Sequence, residues 1–138
     1  PQSHGVERLY LAERAGRQVF NLRPDLVFKG PSGQGYPLLI DTKYKLLDPA
    51  GRRQGISQDD FYQMFAYAHR YDCPKVLLVY PRPSGMENQE LVDARFKIEN
   101  SDKRIYADWV DLQSDLSKAS GRLEFTTDLR RCIASIYT

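Results

Sequence analysis

Cysteine and histidine are scarce in this 138-residue chain, with only Cys73, Cys132, His4 and His69. Two thiols are too few for a disulfide framework or a four-cysteine iron–sulfur cluster, and neither has metal-site spacing with a histidine. The expected setting is reducing and cytoplasmic. Long apolar runs are missing too: the cleanest, Val76-Leu77-Leu78-Val79-Tyr80, is far short of the roughly 20 residues of a membrane helix, so no membrane partner is expected. Neither sign of charge dominates, since 20 Lys and Arg face 18 Asp and Glu for a net charge of +2. Any grip on a polyanion must therefore come from local clustering. There is no G-x-x-x-x-G-K-[ST] phosphate loop, which excludes nucleotide hydrolysis by that device. Repeats and low-complexity tracts are also lacking. With 41% hydrophobic residues, one compact domain over residues 1–138 is the expectation. The chain opens at Pro1 without an initiator Met, which suggests a domain excised from something longer.

Gly and Pro divide the chain into short elements. Val6 to Ala15 reads as a short amphipathic helix ended by Gly16, and Val19 to Phe28 as a strand interrupted by Pro24. The Gly30-Pro31-Ser32-Gly33-Gln34-Gly35 stretch is turn chemistry, and Tyr36 to Leu46 returns as the second strand of a hairpin. Ser57, three residues before Asp60, opens a helix running to about Tyr71, with Asp59 and Asp60 suited to its N-terminal dipole. Lys75 to Tyr80 is apolar throughout, as in a strand covered on both faces. Leu91 to Glu99 and Ile105 to Leu112 are further strands, and Thr126 or Thr127 caps a last helix bearing Leu129, Cys132, Ile133 and Ile136. The order α-β-β-α-β-β-β-α predicts an α/β fold, a mixed β-sheet flanked by helices.

The chemistry concentrates at Arg23-Pro24-Asp25 and Asp41-Thr42-Lys43, on the two strands of that hairpin. Alternation puts Asp41 and Lys43 on one face and Ile40 and Thr42 on the other, and pairing brings Asp25 beside them. Two close carboxylates repel unless a cation lies between them, and hard oxygen ligands favour Mg²⁺ or Mn²⁺ over zinc. A nearby ammonium can orient water or balance charge building on a phosphate. This is equipment for phosphodiester hydrolysis. The competing reading makes Asp41 and Lys43 ordinary residues of a half-exposed strand, but Leu38-Leu39-Ile40 is apolar on both faces up to the charges. Gln63 and Tyr67, four apart on the next helix, share a face and add an amide and a hydroxyl.

Pro24-Asp25, Asp41-Thr42-Lys43 and Gln63-x-x-x-Tyr67 resemble the PD-(D/E)xK nuclease superfamily in its RecB-like branch. More narrowly, Leu22-Arg23-Pro24-Asp25-Leu26-Val27, Ile40-Asp41-Thr42-Lys43-Tyr44-Lys45 and Asp60-x-x-Gln63-Met64-x-Ala66-Tyr67 resemble the McrC family, the cleavage subunits of McrBC restriction systems. The likeness covers about Val19 to Tyr80. It implies a restriction-endonuclease-like fold, Mg²⁺-dependent DNA endonuclease activity and a role in antiviral restriction. Asp25, Asp41 and the Thr42 carbonyl would be metal ligands, Lys43 would assist the attacking water, and Gln63 and Tyr67 would position water or phosphate. An acid on a preceding helix would complete the metal shell, with Glu7 the candidate and Glu13 its neighbour. A GTP-driven AAA+ motor of the McrB type would be the partner.

Lys45, Arg52 and Arg53 follow the motif and are candidate DNA phosphate contacts, with a solvated loop as the bland reading. His69 reads as a surface or packing residue, Trp109 as core, Cys73 and Cys132 as small buried residues, and Arg82 as a weak DNA contact. The alternatives to an endonuclease are a non-catalytic DNA-binding or assembly module keeping the nuclease fold, and a RecB-like exonuclease domain.

Overall fold

The computed structural model describes residues 9–48, 50–86, 89, 91, 94–111 and 118–137. Their strands are β1 (Tyr10–Arg14), β2 (Arg17–Asn21), β3 (Leu26–Phe28), β4 (Leu38–Thr42), β5 (Lys75–Pro81), β6 (Arg95–Lys97) and β7 (Arg104–Val110), with helices α1 (Gln58–Arg70) and α2 (Ala119–Ser135). β1 and β2 form a two-stranded sheet, and the other five form a mixed sheet in the order β3-β4-β5-β7-β6. Its centre is parallel, β4 with β5 and β5 with β7, while β3 and β6 run antiparallel along the two sides. The fold is the expected α/β class.

Each face of this sheet has its own core. Leu39, Val76, Leu78, Tyr80, Ile105, Ala107 and Trp109 pack with Met64, Tyr67 and Ala68 of α1 and with Tyr71 just past its end. Leu38, Ile40, Leu77, Val79, Tyr106 and Val110 pack with Cys132 of α2 and with Ile136 just past its end. The odd and even positions of β4 thus serve opposite helices, the alternation a strand imposes. The unbroken apolar character of β5 has the same cause, since both its faces are covered.

Helix α1 starts where expected: Ser57 Oγ accepts from the Asp60 N–H at 3.1 Å, and Asp59 and Asp60 occupy the first turn. The hairpin β3–β4 also forms, in the register Leu26 opposite Ile40. Its connection needs Gly30, where a Cβ would lie 2.1 Å from the Gln34 carbonyl oxygen.

Five expectations are corrected. The segment read as a helix ending at Ala15 is strand β1 over its described part; Ala15 and Gly16, at φ 51° and 80°, form the two-residue turn that folds β1 back on β2. The single strand from Val19 to Phe28 is two, β2 and β3, because Pro24 offers no N–H to a ladder. The strand read over Tyr36 to Leu46 is paired only over Leu38–Thr42, and that over Leu91 to Glu99 only over Arg95–Lys97. Finally, α2 begins at Ala119, so Thr126 and Thr127 lie inside it; the Thr126 hydroxyl donates back to the Arg122 carbonyl at 2.8 Å instead of capping.

Candidate active site

The parallel strands β4 and β5 end together on the α1 side, and there the apolar pattern gives way to charge. Asp41 follows Leu39 on the face toward α1 and is 4% exposed. Among the described residues the buried polar side chains are Asp41 and Asp60. Burying a carboxylate is costly unless it is paired. Asp41 meets the Lys43 ammonium at 2.9 Å, two residues on along the same face.

Asp25 enters from the neighbouring strand. The β3–β4 register sets it opposite Asp41 by one further step, and its Oδ2 accepts from the Thr42 N–H at 2.8 Å and the Thr42 hydroxyl at 2.6 Å. One more step sets Pro24 opposite Thr42. Proline has no N–H, so the ladder cannot continue on that side, and the Asp25 carboxylate takes the Thr42 amide instead. The Lys43 amide is held on the other side, donating to the Val79 carbonyl at 2.9 Å. Pro24 thus ends the ladder and lets an acid reach the end of β4.

Helix α1 supplies the third wall. The Lys43 ammonium also donates to Gln63 Oε1, and Gln63 Nε2 donates to the Tyr67 hydroxyl oxygen at 3.1 Å. Tyr67 is buried and takes a backbone hydrogen bond from Arg23, which ties the helix to the segment before Asp25. Burial and the Asp41 charge hold the Tyr67 phenol far above its usual range, so it keeps its proton at neutral pH. Burial likewise pushes the Asp41 carboxyl up, and the Asp25 charge adds to this against the opposing pull of Lys43. A cation at Asp41 would relieve that cost.

The donors suit a hard cation. Asp25 and Asp41 offer carboxylate oxygens from adjacent strands, and the Thr42 carbonyl belongs to a residue whose strand-pairing position is filled by proline. Magnesium is content with few protein ligands, because it keeps several waters. Among the described residues no group of three or more His, Cys, Asp or Glu side chains comes together. Glu7 lies outside the described residues. Glu13 is exposed on β1 opposite Gln18, on a strand where a helix was expected.

A second lysine–aspartate pair adjoins the first, its acid buried and its lysine exposed. Lys45 Nζ meets Asp60 Oδ2 at 2.9 Å and donates to Ser57 Oγ at 3.3 Å, while the Tyr80 hydroxyl donates to the same Asp60 oxygen at 3.0 Å. The sequence reading gave Asp60 a helix-start role and a place in the quoted helix motif but no function in the site, and gave Tyr80 only a strand. The signal was present: Asp60, Gln63 and Tyr67 fall at helical spacing on one face of α1. Arg52 and Arg53 are exposed on a short turn, Arg52–Gly55, which backs onto Asp48; a Cβ at Gly55 would lie 2.6 Å from the Asp48 amide.

The remaining residues take the quieter readings. His69 is exposed and lies against the Phe65 ring, while Trp109 is buried with its Nε1–H donating to the Gln89 carbonyl at 2.9 Å. Cys73 and Cys132 are buried free thiols, and burial pushes the Cys73 thiol up to about 11. Arg82 Nε is buried without a hydrogen-bond partner.

No curated protein and no solved structure is similar enough to count. The family model described as McrBC 5-methylcytosine restriction system component matches residues 2–81. That span includes Asp25, Asp41, Lys43, Gln63, Tyr67 and Tyr80 and is more than half of the chain. The chain belongs to the McrBC 5-methylcytosine restriction system component family.

Proposed function

We propose that this chain is the DNA-cleaving component of an McrBC-type restriction system, a metal-dependent endonuclease of the PD-(D/E)xK kind that hydrolyses phosphodiester bonds. The observation that carries the reading is the Lys43 ammonium, bound at once to the buried Asp41 carboxylate and to Gln63, with the Asp25 carboxylate on the adjoining Thr42 amide. A structural ion pair needs no helix-borne amide and no second acid from a strand broken by proline.

Asp25, Asp41 and the Thr42 carbonyl would hold Mg²⁺ or Mn²⁺, which when bound would make a water more acidic and draw off charge from a phosphate. The chain's own groups do the rest. Lys43, kept in place by Asp41 and Gln63, presents an ammonium N–H to the attacking water or to a phosphate oxygen. Gln63 orients Lys43 through its carbonyl and Tyr67 through its amide. Tyr67 keeps its phenolic proton and can donate it to a phosphate oxygen. Lys45, Arg52 and Arg53 contact flanking phosphates, which set affinity without reading sequence. Base recognition and DNA translocation belong to a partner, read here as a GTP-dependent AAA+ motor, because this sequence has no phosphate-binding loop.

Incubating supercoiled plasmid with the protein and Mg²⁺ or Mn²⁺ tests the reading, with and without the motor subunit. Nicking or linearisation is expected, lost in Asp41→Ala and Lys43→Met variants that keep the wild-type circular dichroism spectrum. Wild-type cleavage rates in either folded variant would contradict it. Duplex binding that is indifferent to metal and never leads to cleavage would instead favour an assembly module.

A further inference from the structure

Asp60 is an acid that the proposed chemistry leaves unused. It is 7% exposed, and its carboxylate meets Lys45 and Tyr80. Its Oδ2 is shared by the Tyr80 hydroxyl at 3.0 Å and the Lys45 ammonium at 2.9 Å. Tyr80 stands one register step beyond the Thr42–Val79 pair, beside Lys43 on the α1 face. Lys45 lies two residues past Lys43 and turns to the same helix. Asp60 therefore serves Lys45 much as Asp41 serves Lys43.

The two pairs differ in exposure. The Lys43 side chain is 18% exposed, whereas Lys45 is 52% exposed over an Asp60 side chain at 9%. Lys45 is thus anchored from beneath by Asp60 and Ser57 and open above. A free lysine that clamps a phosphate gives up the rotamer freedom of its long side chain. One already ordered in the folded protein gives up less when it binds. The buried carboxylate is itself sustained by the Tyr80 hydroxyl, the Lys45 charge and its place in the first turn of α1.

We infer that Asp60 is a positioning residue for substrate binding: with Ser57 it holds the Lys45 ammonium at the rim of the site, ready for a DNA phosphate. The inference rests on the reading of this chain as a DNA-cleaving protein, and it can be tested separately from cleavage. The sign of one substitution decides. Removing a negative charge near a polyanion strengthens binding by Coulomb's law alone. Loss of a positioning group weakens it.

Binding of a short fluorescent duplex to the whole chain, followed by anisotropy in EDTA across a range of salt, measures this. The Asp60→Asn protein keeps an acceptor for Tyr80 and is expected to bind at least threefold more weakly than wild type. In a Lys45→Met background the same change should bring no further weakening. Lys45→Met, with a circular dichroism spectrum matching wild type, should itself lower the slope of log K against log salt by about 0.9, one phosphate contact. Equal or tighter binding by Asp60→Asn overturns the inference, as does an unchanged salt slope in Lys45→Met or a wild type that binds no duplex. Should Asp60→Asn fail to fold, the Lys45→Met slope decides alone. Plasmid cleavage with Mg²⁺ by the same proteins keeps the readings apart: weakened binding by Asp60→Asn in a wild type that never cleaves overturns the nuclease reading and upholds the positioning role.

Discussion

On the α1 face of the sheet, Asp41 and Asp60 are buried and each meets a lysine at 2.9 Å. On the α2 face, Asp108 and Asp128 keep 14% and 20% of their side chains exposed and share Arg131, at 3.7 and 2.9 Å. β4 carries Asp41 and β7 of the same sheet carries Asp108. The energies of the two arrangements differ, because a pair near solvent is worth about 0–1 kcal/mol, whereas a buried carboxylate stripped of its partner costs about 3–5 kcal/mol. A fold that seeks stability alone does well with the α2 arrangement. The α1 arrangement sets costly charges where strands end and a ligand can reach them, and active sites are built that way.

Breaking the α1 pair should therefore cost function, and breaking the α2 pair almost nothing. Lys43→Met is expected to slow DNA cleavage by about 10²–10⁴-fold, the usual worth of a positioned proton-transfer group. Arg131→Met should leave cleavage within about twofold. Initial rates under saturating metal compare the two directly. Tyr67→Phe, which keeps the buried ring but removes one hydroxyl, should slow cleavage by roughly threefold to tenfold, the worth of one hydrogen bond.

Stability sharpens the contrast with an opposite sign. Burial raises the Asp41 carboxyl above its ordinary value of 3.8. A raised carboxyl favours folding in its protonated form, so that contribution is present below 3.8 and lost as pH rises through the higher folded value. Asp41→Asn should accordingly melt above wild type near neutral pH while losing activity, and the gap should close as pH falls through the raised value. A gap that widens on acidification would show that the Asp41 carboxylate stabilises the fold. Arg131→Met should lower stability by no more than about 1 kcal/mol in urea unfolding.

Much of this was legible in the residues themselves. Strand alternation put Asp41 and Lys43 on one face, and the Ser57 cap and helical spacing put Gln63 and Tyr67 on the next, because both patterns are local. The β1–β2 hairpin was not legible: Leu9, Tyr10 and Leu11 satisfy a helical stripe, and only the left-handed Ala15–Gly16 turn and pairing with β2 decide otherwise. The start of α2 was hidden similarly, since Thr126 satisfies its hydroxyl inside a helix as readily as at its end. In the Asp60–Tyr80–Lys45 cluster only the helical spacing of Asp60 with Gln63 and Tyr67 was local; its meeting with a strand and a loop depends on tertiary packing.

Calorimetric titration of Mn²⁺ into the wild-type chain and into Asp41→Asn tests the central claim most directly, since it needs neither a motor nor a known DNA target. The account predicts micromolar-to-millimolar binding by the wild type that is lost in the variant. Equal binding by both proteins, or none by a folded wild type, would contradict a metal site at Asp25 and Asp41.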